Sequence, residues 1–167
     1  MLARKIKDFG NLSIAEKRVL DGVCAGEPVF LGKKPPAPDA KDVAIRADLI
    51  RYLLLGGCEK HRPSEAGVYV EGARITGTLD LEFCNADYPL WLHLNRFDET
   101  PNLNDATLPL LGLSGSTLPG LNAGRLKTNA SLFLRAQGDH PFNASDPVIL
   151  RSAEIGGQLS CTGGRFE

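Results

Sequence analysis

The chain holds four cysteines, three histidines and one tryptophan, and these carry most of the chemistry its sequence can offer. Cys58-x-x-His61 has the spacing of half a zinc site. A structural zinc needs four ligands, and no second Cys/His pair lies nearby in sequence, so the pair reads as a loop cysteine and a surface histidine. A Cys–His nucleophile pair is open in principle. By alternation Cys161 falls on an inward face that no histidine shares, and Cys84 follows Phe83 at an expected corner, so both read as small buried hydrophobes. Asp80 and Glu82 stand two residues apart on the outer side of one strand, where acid–base work would need a cleft they do not obviously have. Gly112-Leu113-Ser114-Gly115 lacks the Gly-Lys-Ser/Thr of a phosphate loop, and no GxGxxG leads from a strand into a helix. The remaining group is Trp91, His93 and Asn95, with Arg96 next. Burying Leu90, Leu92 and Leu94 by alternation turns the first three outward. An exposed Trp beside His, Asn and Arg has the composition of a binding patch. Trp91, His93, Asn95 and Arg96 are therefore the candidate binding residues. No catalytic residue, metal ligand or cofactor site is expected.

The elements that position this group begin with Gly72–Phe83, GARITGTLDLEF. Its odd-numbered residues from Ala73 to Phe83 are apolar or small and alternate with polar ones, the period of a strand. Eleven alternating residues are long for one short side, so a corner is expected inside the run. Similar text returns as Ala153–Cys161, and the strands starting at Ile75, Leu126 and Ile155 read as corresponding. Leu126 to Leu134 reads as one more alternating strand, and Ile155–Cys161 as the last. Between these stretches Leu103, Leu108, Leu113 and Leu118 recur every five residues. Period five suits neither a helix nor a flat strand. It suits a chain that turns a corner every few residues and keeps one apolar side chain inward per side. The pattern predicts a β-solenoid over residues 67–167 with roughly twenty to thirty residues per coil.

Residues 1–66 read differently, as a helical cap and linker. Ser13-Ile14-Ala15-Glu16 is a capping box, and Val19, Leu20, Val23 and Cys24 follow at helical spacing up to Gly26. Pro28–Leu31 is a short extended piece. GKKPPAPDA (32–40) is a Pro-rich connector that cannot be helical throughout. A second helix is expected from about Asp42 to Leu55, with Ile45, Leu49, Ile50, Leu53 and Leu54 on its buried side. Two amphipathic helices beside a solenoid suit the cover that its first coil requires. No such helix follows Ile155–Cys161, so self-association through that C-terminal edge, or further coils, is expected to cover it.

Charge narrows the classes of partner. The net charge is −1. Residues 1–66 are modestly basic and 67–167 modestly acidic, and neither gives reason to expect nucleic acid or an anionic membrane. No signal-peptide h-region opens the sequence and no apolar run approaches the ~20 residues needed to span a bilayer. Scattered cysteines with no disulfide framework suggest a cytoplasmic setting.

The five-residue leucine ladder, ARITGTLDL (73–81) and AEIGGQLSC (153–161) resemble the bacterial pentapeptide-repeat proteins, which are right-handed parallel β-helices. Asn104-Asp105-Ala106 and Leu121-Asn122-Ala123 echo the small-polar-Leu preference of that family. The resemblance covers residues 67–167. It implies four short sides per coil, each pointing a small residue and a Leu or Phe inward. The helices followed by GxRITGxLDL also look like the opening of larger bacterial proteins with this solenoid, some labelled oxidoreductases. The family has no shared catalytic residues. The function expected is a non-enzymatic interaction or scaffold module presenting its wall to a protein partner. One alternative is a DNA-mimicking topoisomerase-binding protein, marked by a stripe of Asp and Glu along one face. The other is a targeting or N-terminal part of a larger enzyme or membrane-associated protein.

Overall fold

The structure is a computed structural model that describes residues 5–57 and 59–167. Its first helix, α1 (Ile14–Ala25), starts as the sequence dictates. Ser13 Oγ accepts from the Glu16 N–H and Glu16 Oε2 accepts from the Ser13 N–H, each at 3.0 Å. Gly26 closes it in the left-handed conformation at φ 75°. Ala15, Val19 and Val23 are buried, whereas Leu20 is half-buried and Cys24 exposed, so the apolar stripe is narrower than its spacing suggested. Glu16 has a second task. Its carboxylate takes three hydrogen bonds from Arg46, from the backbone N–H, Nε and Nη2, and ties the start of α1 to a strand.

That strand, Ala44–Arg46, occupies the first turn of the expected second helix. Ile45 pairs with Ile75 in a parallel ladder, and the helix, α2 (Ala47–Leu54), begins only afterwards. Hydrogen bonding to a neighbouring strand has overridden the helical periodicity. Leu49, Ile50, Leu53 and Leu54 are fully buried, as their spacing requires. Both helices pack against Val29–Phe30, Ala44–Arg46 or Val68–Glu71.

The strands are short and parallel. One sheet stacks Val29–Phe30, Val68–Glu71, Leu90–His93, Leu111–Gly112, Leu132–Phe133 and Leu159–Ser160. A second six-stranded sheet runs from Ala44–Arg46 through Arg74–Thr76, Arg96–Phe97, Thr117–Leu118 and Asn143–Ala144 to Arg165–Phe166. Two smaller sheets join Leu121–Asn122 to Val148–Ile149, and Thr107–Leu108 to Lys127–Thr128 and Glu154–Ile155. Both long sheets draw their first strand from the segment ahead of Gly67, rather than beginning at Val68. The arrangement of mostly parallel sheets with two α-helices is compatible with a β-solenoid.

Register explains the core. Val68, Leu90, Leu111, Leu132 and Leu159 are successive partners in the first sheet. The first four are no more than 1% exposed and Leu159 is 46% exposed, because a strand lies on only one side of it. The period-five leucines Leu103, Leu108, Leu113 and Leu118 are all buried. Left-handed residues recur between strands. Gly72, Leu94 and Gly115 sit one above another, the N–H of each of the first two donating to the carbonyl just before the next, and so do Phe83, Asp105 and Arg125. At the second position Asp105 and Arg125 form a two-pronged ion pair, each contact 2.6 Å.

One expectation about the strands holds and several are corrected. Gly77 at φ 74° supplies the corner expected inside Gly72–Phe83. The proposed correspondence holds for the strands at Leu126 and Ile155, which pair with each other, and not for Ile75. Ile75 pairs with Phe97 in the second long sheet, whereas Ile155 pairs with Thr128 in a small one. Every side of the fold uses the same alternation, so similar text falls on different sides. Leu126–Leu134 is two strands with Ala130 exposed between them. Cys161 continues the column of buried Leu134 but is exposed, since among the described residues no strand pairs beyond Leu159–Ser160 to cover it. Cys58, and with it the Cys58-x-x-His61 reading, lies outside the described residues.

Candidate functional site

The outward side of the first long sheet carries two columns of side chains, because residues on one face of parallel strands stack in register. In one column Tyr69, Trp91, Gly112, Phe133 and Ser160 are successive partners. Gly112 leaves a gap between two rings, and Trp91 and Phe133 close over it. Their centroids are 6.2 Å apart and nearly parallel, at 18°. A Cβ on residue 112 would stand 2.8 Å from Trp91 Cε3 and 2.6 Å from His93 Nε2, closer than packing allows. Tyr69 continues the aromatic run at 6.2 Å from Trp91, and Phe30 adds an edge at 6.1 Å from Tyr69.

The neighbouring column is polar. Glu71 pairs with His93, and backbone bonds from Leu94 to Ser114 and from Gly115 to Arg135 carry the same register onward. Glu71 and His93 are each 8% exposed. Glu71 Oε1 accepts from the Tyr69 hydroxyl at 2.8 Å and from Gln137 Nε2 at 3.0 Å. Burial, then the hydrogen bond and charge of Glu71, push the Tyr69 phenol up to about 12, so its proton stays on. With that proton given to Glu71, the phenol oxygen faces His93 Nδ1 at 3.5 Å as an acceptor. Glu71 Oε1 is 3.9 Å from the same nitrogen. Both neighbours favour hydrogen on Nδ1, which assigns a lone pair to Nε2. Burial lowers the His93 pKa most, Glu71 opposes it and Arg135 adds to it. The net shift is downward, so the ring is neutral near pH 7.

His93 Nε2 and Ser114 Oγ are buried and make no hydrogen bond. Buried polar atoms without partners are uncommon, and two side by side call for an explanation. Both residues line a recess of about 580 Å³ whose wall also includes Arg135, Gln137, Gln158, Ser160 and Thr162. Arg135 is exposed, and its guanidinium lies 4.2 Å from the centre of the Phe133 ring. No acid stands within ion-pair distance of it among the described residues. Also among the described residues, no group of three or more His, Cys, Asp or Glu side chains forms a metal-binding cluster.

Of the four residues singled out from the sequence, the structure brings two together here. Trp91 is half-buried in the aromatic column and His93 lines the recess. Asn95 is the contradicted case: it is fully buried. Its Oδ1 accepts from the Ala73 N–H at 2.7 Å and its Nδ2 donates to the Val70 carbonyl at 3.0 Å, so it ties adjacent turns of chain together inside. The left-handed Leu94, at φ 54°, bends the chain before Asn95 and breaks the alternation that would have turned it outward. Arg96 belongs to the second long sheet, where its Nε donates to the Pro36 carbonyl at 2.6 Å, away from the recess. The sequence reading missed Ser114 and Arg135. Their signal was the spacing of the rows, His93 to Ser114 and Ser114 to Arg135 each one strand apart in the first long sheet, which is visible only once register is known.

No family model, curated protein or solved structure matches the chain. No helix among the described residues is long and apolar enough to cross a membrane.

Proposed function

We propose that the chain is a right-handed parallel β-solenoid acting as a non-enzymatic interaction module, with α1 and α2 covering its first coil. Its working surface is the outward side of the first long sheet, presented to a protein partner. The observation that carries this reading is the recess in that wall, where two buried polar atoms await partners beside a run of packed aromatic rings. Binding would satisfy those atoms, and a rigid aromatic surface loses little side-chain freedom when it is covered.

Glu71, His93 and Ser114 follow one another in the order of a hydrolytic triad, but their spacing supports binding better. Glu71 is 3.9 Å from His93 Nδ1, and Ser114 Oγ makes no hydrogen bond to the ring. A serine becomes a nucleophile only when a base within hydrogen-bond reach takes its proton. Mixed columns, such as Asp80, Asn102 and Asn122, favour this reading over a DNA mimic, which needs acids in register.

A photo-crosslinking residue at Gln158, on the rim of the recess, tests the reading in the native host. Discrete protein adducts are expected there and not from the same residue at Arg125, on another side of the fold. Identical adducts from both positions, or none from Gln158, would overturn it.

A second surface has its own support. Leu159 and Phe166, both 46% exposed, end the two long sheets, while their partners Leu132 and Ala144 are buried. That end suits pairing with a second copy through its free strand edges. Light scattering is expected to show a concentration-dependent dimer that Leu159→Lys weakens. A monomer at every concentration would exclude self-pairing.

A further inference from the structure

We propose that the recess at His93 and Ser114 binds a small carboxylate that also carries hydroxyl groups, such as an acidic sugar or a hydroxy acid. This starts from the same recess and the same two unpaired atoms as the protein-partner reading, and assigns them a small ligand in place of a protein group.

Three groups define the ligand. His93 Nε2 offers a lone pair at the bottom of the recess and has no donor. It asks for an O–H or N–H. Ser114 Oγ, in a residue only 3% exposed, can both donate and accept and does neither. An adjacent pair of one acceptor and one hydroxyl suits a ligand hydroxyl, which donates to His93 and accepts from Ser114. Arg135 supplies the charge. Its planar fork matches a carboxylate, and stacking on Phe133 restricts it at the mouth of the recess. Gln158, Ser160 and Thr162 extend the polar lining toward further hydroxyls.

Other chemistries fit less well. A metal cation finds no carboxylate in the lining, and Glu71, behind His93, is taken by Tyr69 and Gln137. A phosphate dianion would meet a single arginine and the lone pair of a neutral histidine. An apolar ligand would leave both buried polar atoms unpaired at a cost. The volume of about 580 Å³ lies in the range of small-molecule sites and holds a hexuronic acid with some water.

The test is calorimetric titration of the intact chain at pH 7.5 and low salt with galacturonate, glucuronate, gluconate and citrate. Glucose and acetate serve as single-function controls. Saturable binding by at least one of the four acids is expected, with glucose and acetate at least tenfold weaker. Arg135→Gln and Ser114→Ala should each weaken that binding tenfold or more, and Arg125→Gln should leave it unchanged. Ser114→Ala should not lower the melting temperature, since it removes an unpaired hydroxyl. Should a variant fail to fold, the 15N shift of His93 Nε2 in the native chain gives an independent readout, and it should move upfield as the lone pair accepts a hydrogen bond. Binding by none of the acids, equal binding of acetate, or unaltered binding by both site variants would overturn the proposal. Absent crosslinks at Gln158 would remove the protein-partner reading and leave this titration standing. A failed titration with crosslinks intact would remove the small ligand alone.

Discussion

Leu132 and Leu159 are the same residue type, in the same sheet, paired with each other, and differ only in what lies beyond them. Leu132 has Leu111 on one side and Leu159 on the other and is fully buried; Leu159 is 46% exposed. Truncating Leu132 to alanine removes buried methyl groups and leaves a void walled on both sides. Such substitutions cost about 2–5 kcal/mol. Leu159→Ala forfeits only about half of the roughly 1.5–3 kcal/mol that full burial of a leucine provides, and leaves no closed cavity, so about 1 kcal/mol is expected. At roughly 2–4 °C per kcal/mol for a chain of this size, Leu132→Ala should lower the melting temperature by about 4–20 °C and Leu159→Ala by about 2–4 °C. Urea titration with an unchanged m value would confirm that stability, not the unfolded state, has moved. Measured at concentrations where the chain is monomeric, equal costs for the two variants would refute this, since Leu159 would then be covered within a single chain. A Leu132→Ala cost under about 1 kcal/mol would refute it equally, since the inward ladder would then not be packed as described.

Asn95→Ala strips partners from the Ala73 N–H and the Val70 carbonyl inside the fold and should cost about 2–4 kcal/mol by urea denaturation; a cost under about 0.5 kcal/mol would place Asn95 on the surface after all. Binding in the recess should survive in the folded fraction of that variant, which separates Asn95 from Ser114. The His93 pKa lies below its unfolded value of about 6.5, so below that pH the unfolded chain takes up a proton that the folded chain resists. The stability held at higher pH is therefore lost as pH falls through about 6.5 toward the folded value. His93→Gln should flatten that fall in urea midpoints measured from pH 7.5 to 5.5, and parallel curves would show that His93 is not buried as a neutral ring. Gly112→Ala should separate Trp91 from Phe133 and change the tryptophan emission, whereas an unchanged spectrum would mean that the gap is not filled by the rings.

The sequence by itself determined the parts that depend on neighbours along the chain. Ser13, Glu16 and Gly26 set α1 because a capping box and a left-handed C-terminal glycine act within a few residues. The five-residue leucines announced an inward ladder because each side of the fold repeats that spacing. Trp91 and His93 stood out because the alternation around Leu90 and Leu92 holds across one strand. Tertiary structure decided what depends on register between strands. Ala44–Arg46 became a strand because Arg74–Thr76 lies beside it, against its own helical pattern. Asn95 turned inward because Leu94 is left-handed at the corner, a conformation no local signal marks when the residue is leucine. Ser114 and Arg135, each beside the next strand of the first long sheet, reach His93 only through parallel pairing. The recess exists because three strands place those side chains in one column. Side-chain alternation is written along the chain, whereas stacking is written across it.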